Sequence, residues 1–153
     1  MTFIHAPEGA NLLDSRAQCL VNPVNCVGVP GAGLAKAFCD RWPGPVGEYV
    51  AFCESGKMRP GMVHDALMGD GRRILSIATK RHWREPSRLA DVNLGLLALA
   101  AYCRETPVSS VALPALGCGL GGLYRRDVAK LVTDHLSTVP VVFHLYGLKI
   151  QEG

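Results

Sequence analysis

The sequence predicts an α/β fold in which strands and helices alternate, and three observations carry that expectation. Short apolar runs alternate with longer stretches of helical periodicity. Two glycine-dense turns, Gly28-Val29-Pro30-Gly31-Ala32-Gly33-Leu34 and Gly117-Cys118-Gly119-Leu120-Gly121-Gly122, each leave an apolar run and lead into a helical pattern. The composition, 48% hydrophobic and 19% charged over 153 residues, suits one compact domain spanning 1–153 and argues against disorder.

Taken in order, Ala17–Val21 is expected to be a buried strand, followed by helices over Leu34–Trp42 and Val46–Ser55. Arg41-Trp42-Pro43-Gly44-Pro45 ends the first and opens the second, because proline is tolerated at a helix start. Met62–Leu67 and Arg73–Ala78 alternate as strands do, with a turn at Met68-Gly69-Asp70-Gly71 between them. The clearest helix is Ser87–Glu105, with Leu89, Val92, Leu96, Leu99 and Cys103 on one face and Ser87, after Pro86, as its cap. Ser109–Leu113 is a strand, Arg125–Leu136 a helix and Val141–Tyr146 a final strand. No repeat, linker or low-complexity segment interrupts this order.

Several function classes fall away. No apolar run approaches the roughly 20 residues of a membrane span, and Met1–Pro7 has no basic stretch followed by an apolar one, so no leader is expected. The six cysteines (Cys19, Cys26, Cys39, Cys53, Cys103 and Cys118) form no CxxC pair and are expected to be reduced, mostly buried, cytoplasmic thiols. The five histidines lack ligand spacing to one another or to a cysteine pair, so no metal is expected. Residues 117–122 formally match GxGxxG, yet the strand after it, Val141–Tyr146, carries no acid for a ribose hydroxyl, which argues against a dinucleotide dehydrogenase. GxxxxGK[ST] is absent. No cofactor is expected.

What survives is a phosphate cradle. Glycines this dense let backbone approach a ligand and aim successive N–H groups at it, and a following helix N-terminus adds positive potential. In such folds ligands gather beyond the strand ends, where both turns lie. Asn22 and Asn25 open the first turn; asparagine there either caps backbone or bonds sugar hydroxyls through its amide. Lys80 leaves the strand that Thr79 closes, where a lysine either meets solvent or serves as a nucleophilic or acid–base amine. Arg72 to Arg88 contains six Lys or Arg, either a solvated basic surface or a polyanion footprint.

Over essentially its whole length the chain resembles a macrodomain, the family that binds ADP-ribose. Asn22-Pro23-Val24-Asn25 with Gly28 to Phe38 resembles the family's first ligand loop, and Gly117 to Leu123 its second. Thr79-Lys80-Arg81-His82-Trp83-Arg84-Glu85-Pro86-Ser87 is the more specific match, to DarG-type antitoxin macrodomains, which remove ADP-ribose from thymidine in DNA. That branch is related to the terminal ADP-ribose protein glycohydrolase, which acts on acidic side chains. The resemblance implies a three-layer α/β/α fold with a mixed central sheet.

It also implies roles. Asn25 would bond the distal ribose, with Asn22 and Thr79 beside it. Gly31, Ala32, Gly33, Leu34, Gly117, Cys118, Gly119, Leu120 and Gly121 would enclose the diphosphate and that ribose. Lys80 would act near the anomeric carbon, by attacking the sugar, donating a proton or steadying the leaving group. Asn11 stands where many macrodomains place an aspartate against adenine. The protein-directed relative has an aspartate in its second loop where this chain has Gly121, so a lysine–aspartate pair is not expected here. Cys118, between glycines, is expected to be a spacer and not a nucleophile. Arg81 to Arg84 suits a nucleic-acid substrate, with Trp83 either stacking on a base or packing beneath the following helix. Partners are then ADP-ribose as ligand and product, and ADP-ribosylated DNA or protein as substrate, taken by a monomer without a membrane. A non-catalytic ADP-ribose reader, and a hydrolase of small ADP-ribose derivatives, are the alternatives. DarG antitoxins usually carry a further toxin-binding region, so the resemblance does not by itself imply an antitoxin role.

Overall fold

The computed structural model describes residues 2–151; residues 1, 152 and 153 of the expected domain lie outside that range. Its strands are β1 (Phe3–His5), β2 (Cys19–Asn25), β3 (Val63–Leu67), β4 (Arg73–Lys80), β5 (Ser110–Pro114) and β6 (Val142–Tyr146). Its helices are α1 (Gly33–Arg41), α2 (Pro43–Glu54), α3 (Leu89–Glu105) and α4 (Arg125–Leu136), with a 3-10 turn at Leu12–Asp14. The sheet order is β1-β6-β5-β2-β4-β3. Every neighbouring pair is parallel except β3–β4, so the central sheet is mixed.

The central strands are buried on both faces, and alternation assigns each side chain to a layer. Cys19 and Val21 of β2 join Leu75 and Ile77 of β4 in a core completed by Val92, Leu96 and Leu99 of α3 and Val128 and Val132 of α4. Leu20 and Val24 join Ile74 and Ala78 on the opposite face, closed by Phe38 of α1 and Val46 and Tyr49 of α2. Helices therefore cover both faces.

Several boundaries differ from expectation, each for a physical reason. β2 runs on through Pro23 to Asn25, past the expected end at Val21. Its pairing with β5 is confined to Cys19 and Leu20, while pairing with β4 continues; beyond Leu20 the strand has one ladder, the setting in which a residue without N–H is tolerated. β4 continues to Lys80, where the Val24/Asn25 register shift brings Asn25 beside it. α2 begins at Pro43, three residues earlier than expected. Three-residue β1, of which only Phe3 is buried, was not expected from the sequence. Finally, α3 starts at Leu89 with Arg88 as its cap residue, so Ser87 is not its cap; Leu89, expected on the core face, is exposed. The Ser87 N–H instead donates to Gly121 O at 3.0 Å, a contact to the distant second glycine turn.

Candidate functional site

A cavity of about 730 Å³ opens where β5, β2 and β4 end. Pro114 and Ala115, Pro23 to Asn25, and Thr79 and Lys80 form its floor, and the two glycine turns form its walls. The turns meet, because Leu120 lies across Gly33, whose φ of +57° requires glycine there.

The first turn is shaped by Asn25. Its Oδ1 accepts from the N–H groups of Val27 (3.1 Å) and Val29 (3.2 Å), and its Nδ2 donates to Val29 O (2.9 Å). The buried Tyr49 hydroxyl donates to Asn25 O at 2.6 Å and lies 3.2 Å from Oδ1. The amide oxygen is thus engaged by the loop, and Nδ2 makes one bond, leaving its second proton without a partner among the described residues. Burial pushes the Tyr49 phenol well above its ordinary range, so it stays a donor.

Past Asn25 the turn delivers open donors. α1 has no side-chain cap, and among the described residues the N–H groups of Gly31, Ala32, Gly33, Leu34 and Ala35 find no acceptor. In the second turn the N–H groups of Gly117, Gly119, Leu120 and Gly121 are likewise open. That of Cys118 is not: it donates to Ala115 O at 3.1 Å, and the Cys118 thiol lies 3.6 Å from Leu116 O. Burial raises this thiol's pKa, which suits a spacer and not a nucleophile.

The charge on this wall has one sign. Among the described lining residues the ionisable side chains are Lys80 and Arg125, with no carboxylate. Lys80, half-buried at the end of β4, sits beside Asn25 across the ladder, and no described carboxylate lies within ion-pair distance of it. Open N–H rows, one helix N-terminus and two cations make a receptor for an extended anion. At the mouth, His82 stacks on Trp83 (centroids 5.4 Å) and the Arg84 guanidinium lies 4.5 Å from the Trp83 ring. Trp83 is 45% exposed, so it does not pack beneath α3. Arg81 forks onto the buried Asp91 of α3 at 3.1 and 3.2 Å, which ties this segment down.

The macro domain family model matches residues 21–132. The chain is a macrodomain. It is 40% identical over 135 residues to a Mycobacterium tuberculosis protein named DNA ADP-ribosyl glycohydrolase, covering 86% of this chain and 38% of that one. This macrodomain thus spans about two fifths of that relative's length. The solved macrodomain of Mycobacterium tuberculosis DarG superposes with a TM-score of 0.88 at 37% identity, covering 94% of this chain and 97% of that one. Thermosipho africanus DarTG in complex with ADP-ribose superposes with a TM-score of 0.82 at 28% identity, covering 94% and 41%.

Of the residues expected to form the site, this macrodomain gathers Asn25, Gly31, Ala32, Gly33, Leu34, Thr79, Lys80, Gly117, Gly119, Leu120 and Gly121 around the cavity. Asn11, Asn22 and Cys118 do not line it. Asn11 is exposed and caps the 3-10 turn, accepting from Leu13 N–H at 3.0 Å. Asn22 is fully buried beside Ser76, on the sheet face that carries α1 and α2. Sequence reasoning missed Ser87 and Arg125, which both line the cavity. Arg125 heads α4, and its Nε donates to Gly147 O at 2.9 Å. A cation three residues past the second glycine turn was the available signal.

Proposed function

We propose that this macrodomain binds ADP-ribose in the cavity and hydrolyses it from modified DNA, thymidine-linked, or from acidic protein side chains. The observation that carries this reading is an N–H-rich cradle free of carboxylates with a single lysine, Lys80, at its floor beside Asn25. The open N–H groups of Gly31 to Leu34, and of Gly117, Gly119, Leu120 and Gly121, receive the diphosphate. Asn25 and Thr79 face the distal ribose. Hydrolysis breaks the bond from that ribose's anomeric carbon to the modified group; water's oxygen ends on the sugar, and a proton goes to the leaving group. Lys80 acts at that carbon, and the cradle supplies position.

DNA is the favoured substrate. The His82-Trp83-Arg84 stack, exposed at Trp83 and Arg84, offers planar faces and positive charge beside the cavity, the chemistry that holds an unpaired base and its phosphate. The names of the similar proteins point the same way. The six cysteines are all free thiols, which suits a reducing cytoplasm, and the domain acts as a monomer in this reading.

The test is release of ADP-ribose from thymidine-modified single-stranded DNA and from glutamate-modified protein, comparing the parent with Lys80→Ala. Release abolished in the variant, with ADP-ribose binding retained, is the expected result. Binding without release from either substrate by the parent makes this a reader. Turnover of free ADP-ribose derivatives alone makes it a small-molecule hydrolase.

A further inference from the structure

Ser87 is 6% exposed, and its Oγ finds no hydrogen-bond partner among the described residues. A hydroxyl buried unpaired costs about 1–3 kcal/mol, so one kept at a cavity wall calls for an explanation. The serine is wedged into the second glycine turn. Its N–H holds Gly121 O at 3.0 Å, its Cβ would stand 3.1 Å from a Cβ at position 117, and its Oγ would overlap a Cβ at position 121. The turn it touches carries open N–H groups at Gly119, Leu120 and Gly121, and is bounded by Gly117 and Gly122 at φ +74° and +80°. Ser87 also follows the tethered Arg81 segment, so its position is fixed from the β4 side.

We propose that the Ser87 hydroxyl is a ligand-binding donor: when the second glycine turn seats on ADP-ribose, Gly121 moves off Oγ, and Oγ donates to a ribose or phosphate oxygen alongside the Gly119–Gly121 N–H groups. The inference rests on the ADP-ribose reading and adds a residue to it. The same serine explains why position 121 is glycine. Its hydroxyl fills the room that any side chain there would need, and Gly117 O, 2.5 Å from a Cβ at 121, closes the rest. The side chain that abuts position 121 is thus a neutral hydroxyl from the β4–α3 segment, and that position has no room for a carboxylate.

The experiment combines calorimetric titration of ADP-ribose and of ADP with thermal melting, on the parent, Ser87→Ala and Ser87→Cys. Removing an unpaired buried hydroxyl leaves the ligand-free Tm unchanged or higher, while losing one neutral hydrogen bond weakens binding about five- to tenfold. Ser87→Ala is expected to weaken ADP-ribose that much without lowering the Tm, and Ser87→Cys, whose larger sulfur crowds Gly121, to weaken it with a lowered Tm. An equal loss for ADP assigns the phosphate as acceptor; a loss for ADP-ribose alone assigns the distal ribose. Affinity within twofold of the parent in Ser87→Ala overturns the proposal, as does parental affinity in Ser87→Cys, or a lowered Tm that accompanies the weaker binding in Ser87→Ala. If the parent itself binds no ADP-ribose, the ADP-ribose reading and this inference both fall; if the parent binds and the variants bind equally, only this inference does.

Discussion

Replacing Tyr49 by Phe tests the link between core and cradle. The ring is 1% exposed and the substitution keeps its shape, so the main loss is the hydroxyl. That hydroxyl donates at 2.6 Å to Asn25 O, and the other side-chain donor near that carbonyl is the Cys53 thiol, 3.9 Å away. Losing one buried bond and stranding its acceptor costs about 1–2 kcal/mol. At about 2–4 °C per kcal/mol for a domain of this size, the Tm falls by about 2–8 °C. Oδ1 of Asn25 keeps its two backbone donors, so the loop loosens without collapsing. ADP-ribose must then order it on binding, and its affinity drops about two- to fivefold. Melting curves and titration calorimetry measure both. A Tm within 1 °C of the parent would falsify the energetic argument, and a lowered Tm with unchanged affinity would show that Tyr49 holds α2 to β2 without shaping the cavity.

Two further predictions concern stability. A Cβ at Gly95 would stand 2.5 Å from Ile77 Cγ2, so Gly95→Ala overpacks the α3–β4 seam by about 1–3 kcal/mol, offset by about 1 kcal/mol of gained helix propensity. Its Tm should fall, and a rise would mean the seam has slack. His64 has an unpartnered, buried Nδ1, and burial lowers its pKa although Glu48 and Asp65 oppose the shift. Below the ordinary histidine value of about 6.5 the unfolded chain takes up a proton that the folded chain refuses, so stability present above that pH is lost as the pH falls. His64→Gln should flatten the Tm profile between about pH 6.5 and 5 relative to the parent; parallel profiles would assign the acid loss to other groups.

The layered fold was legible because its signals are local. The periodicity of Val92, Leu96, Leu99 and Cys103 and the β-rich Ile74 to Ala78 run each follow from neighbours along the chain, and each lies in the core. Illegible parts depend on partners far away. The strand expected to end at Val21 runs on through Pro23, which is tolerated because β5 has already parted from β2 at that point. Ser87 has the local context of a cap after Pro86, but Gly121, distant in sequence, takes its N–H and the helix starts two residues later. The glycine turns and Lys80 were legible as ligand-facing elements, since their composition and place at strand ends state the geometry directly. Asn22 and Asn25 were not separable by sequence: both precede the same turn, and only strand alternation and the register shift at Val24/Asn25 send one beneath α2 and the other to the cavity.

That register shift also accounts for the pairing of Asn25 with Lys80 at the cavity floor. An uninterrupted ladder would set Asn25 against Thr79; the slip sets it against Lys80, so the loop-shaping amide and the amine share the end of one strand pair. In the proposed reaction the lysine would meet the ribose from the end of the β2–β4 pair, with the open N–H groups of the two glycine turns on either side. Substitutions that keep every lining side chain but break the slip should therefore damage turnover more than binding. In that proposal the turns hold the diphosphate, whereas the strand ends set where the amine stands relative to the anomeric carbon.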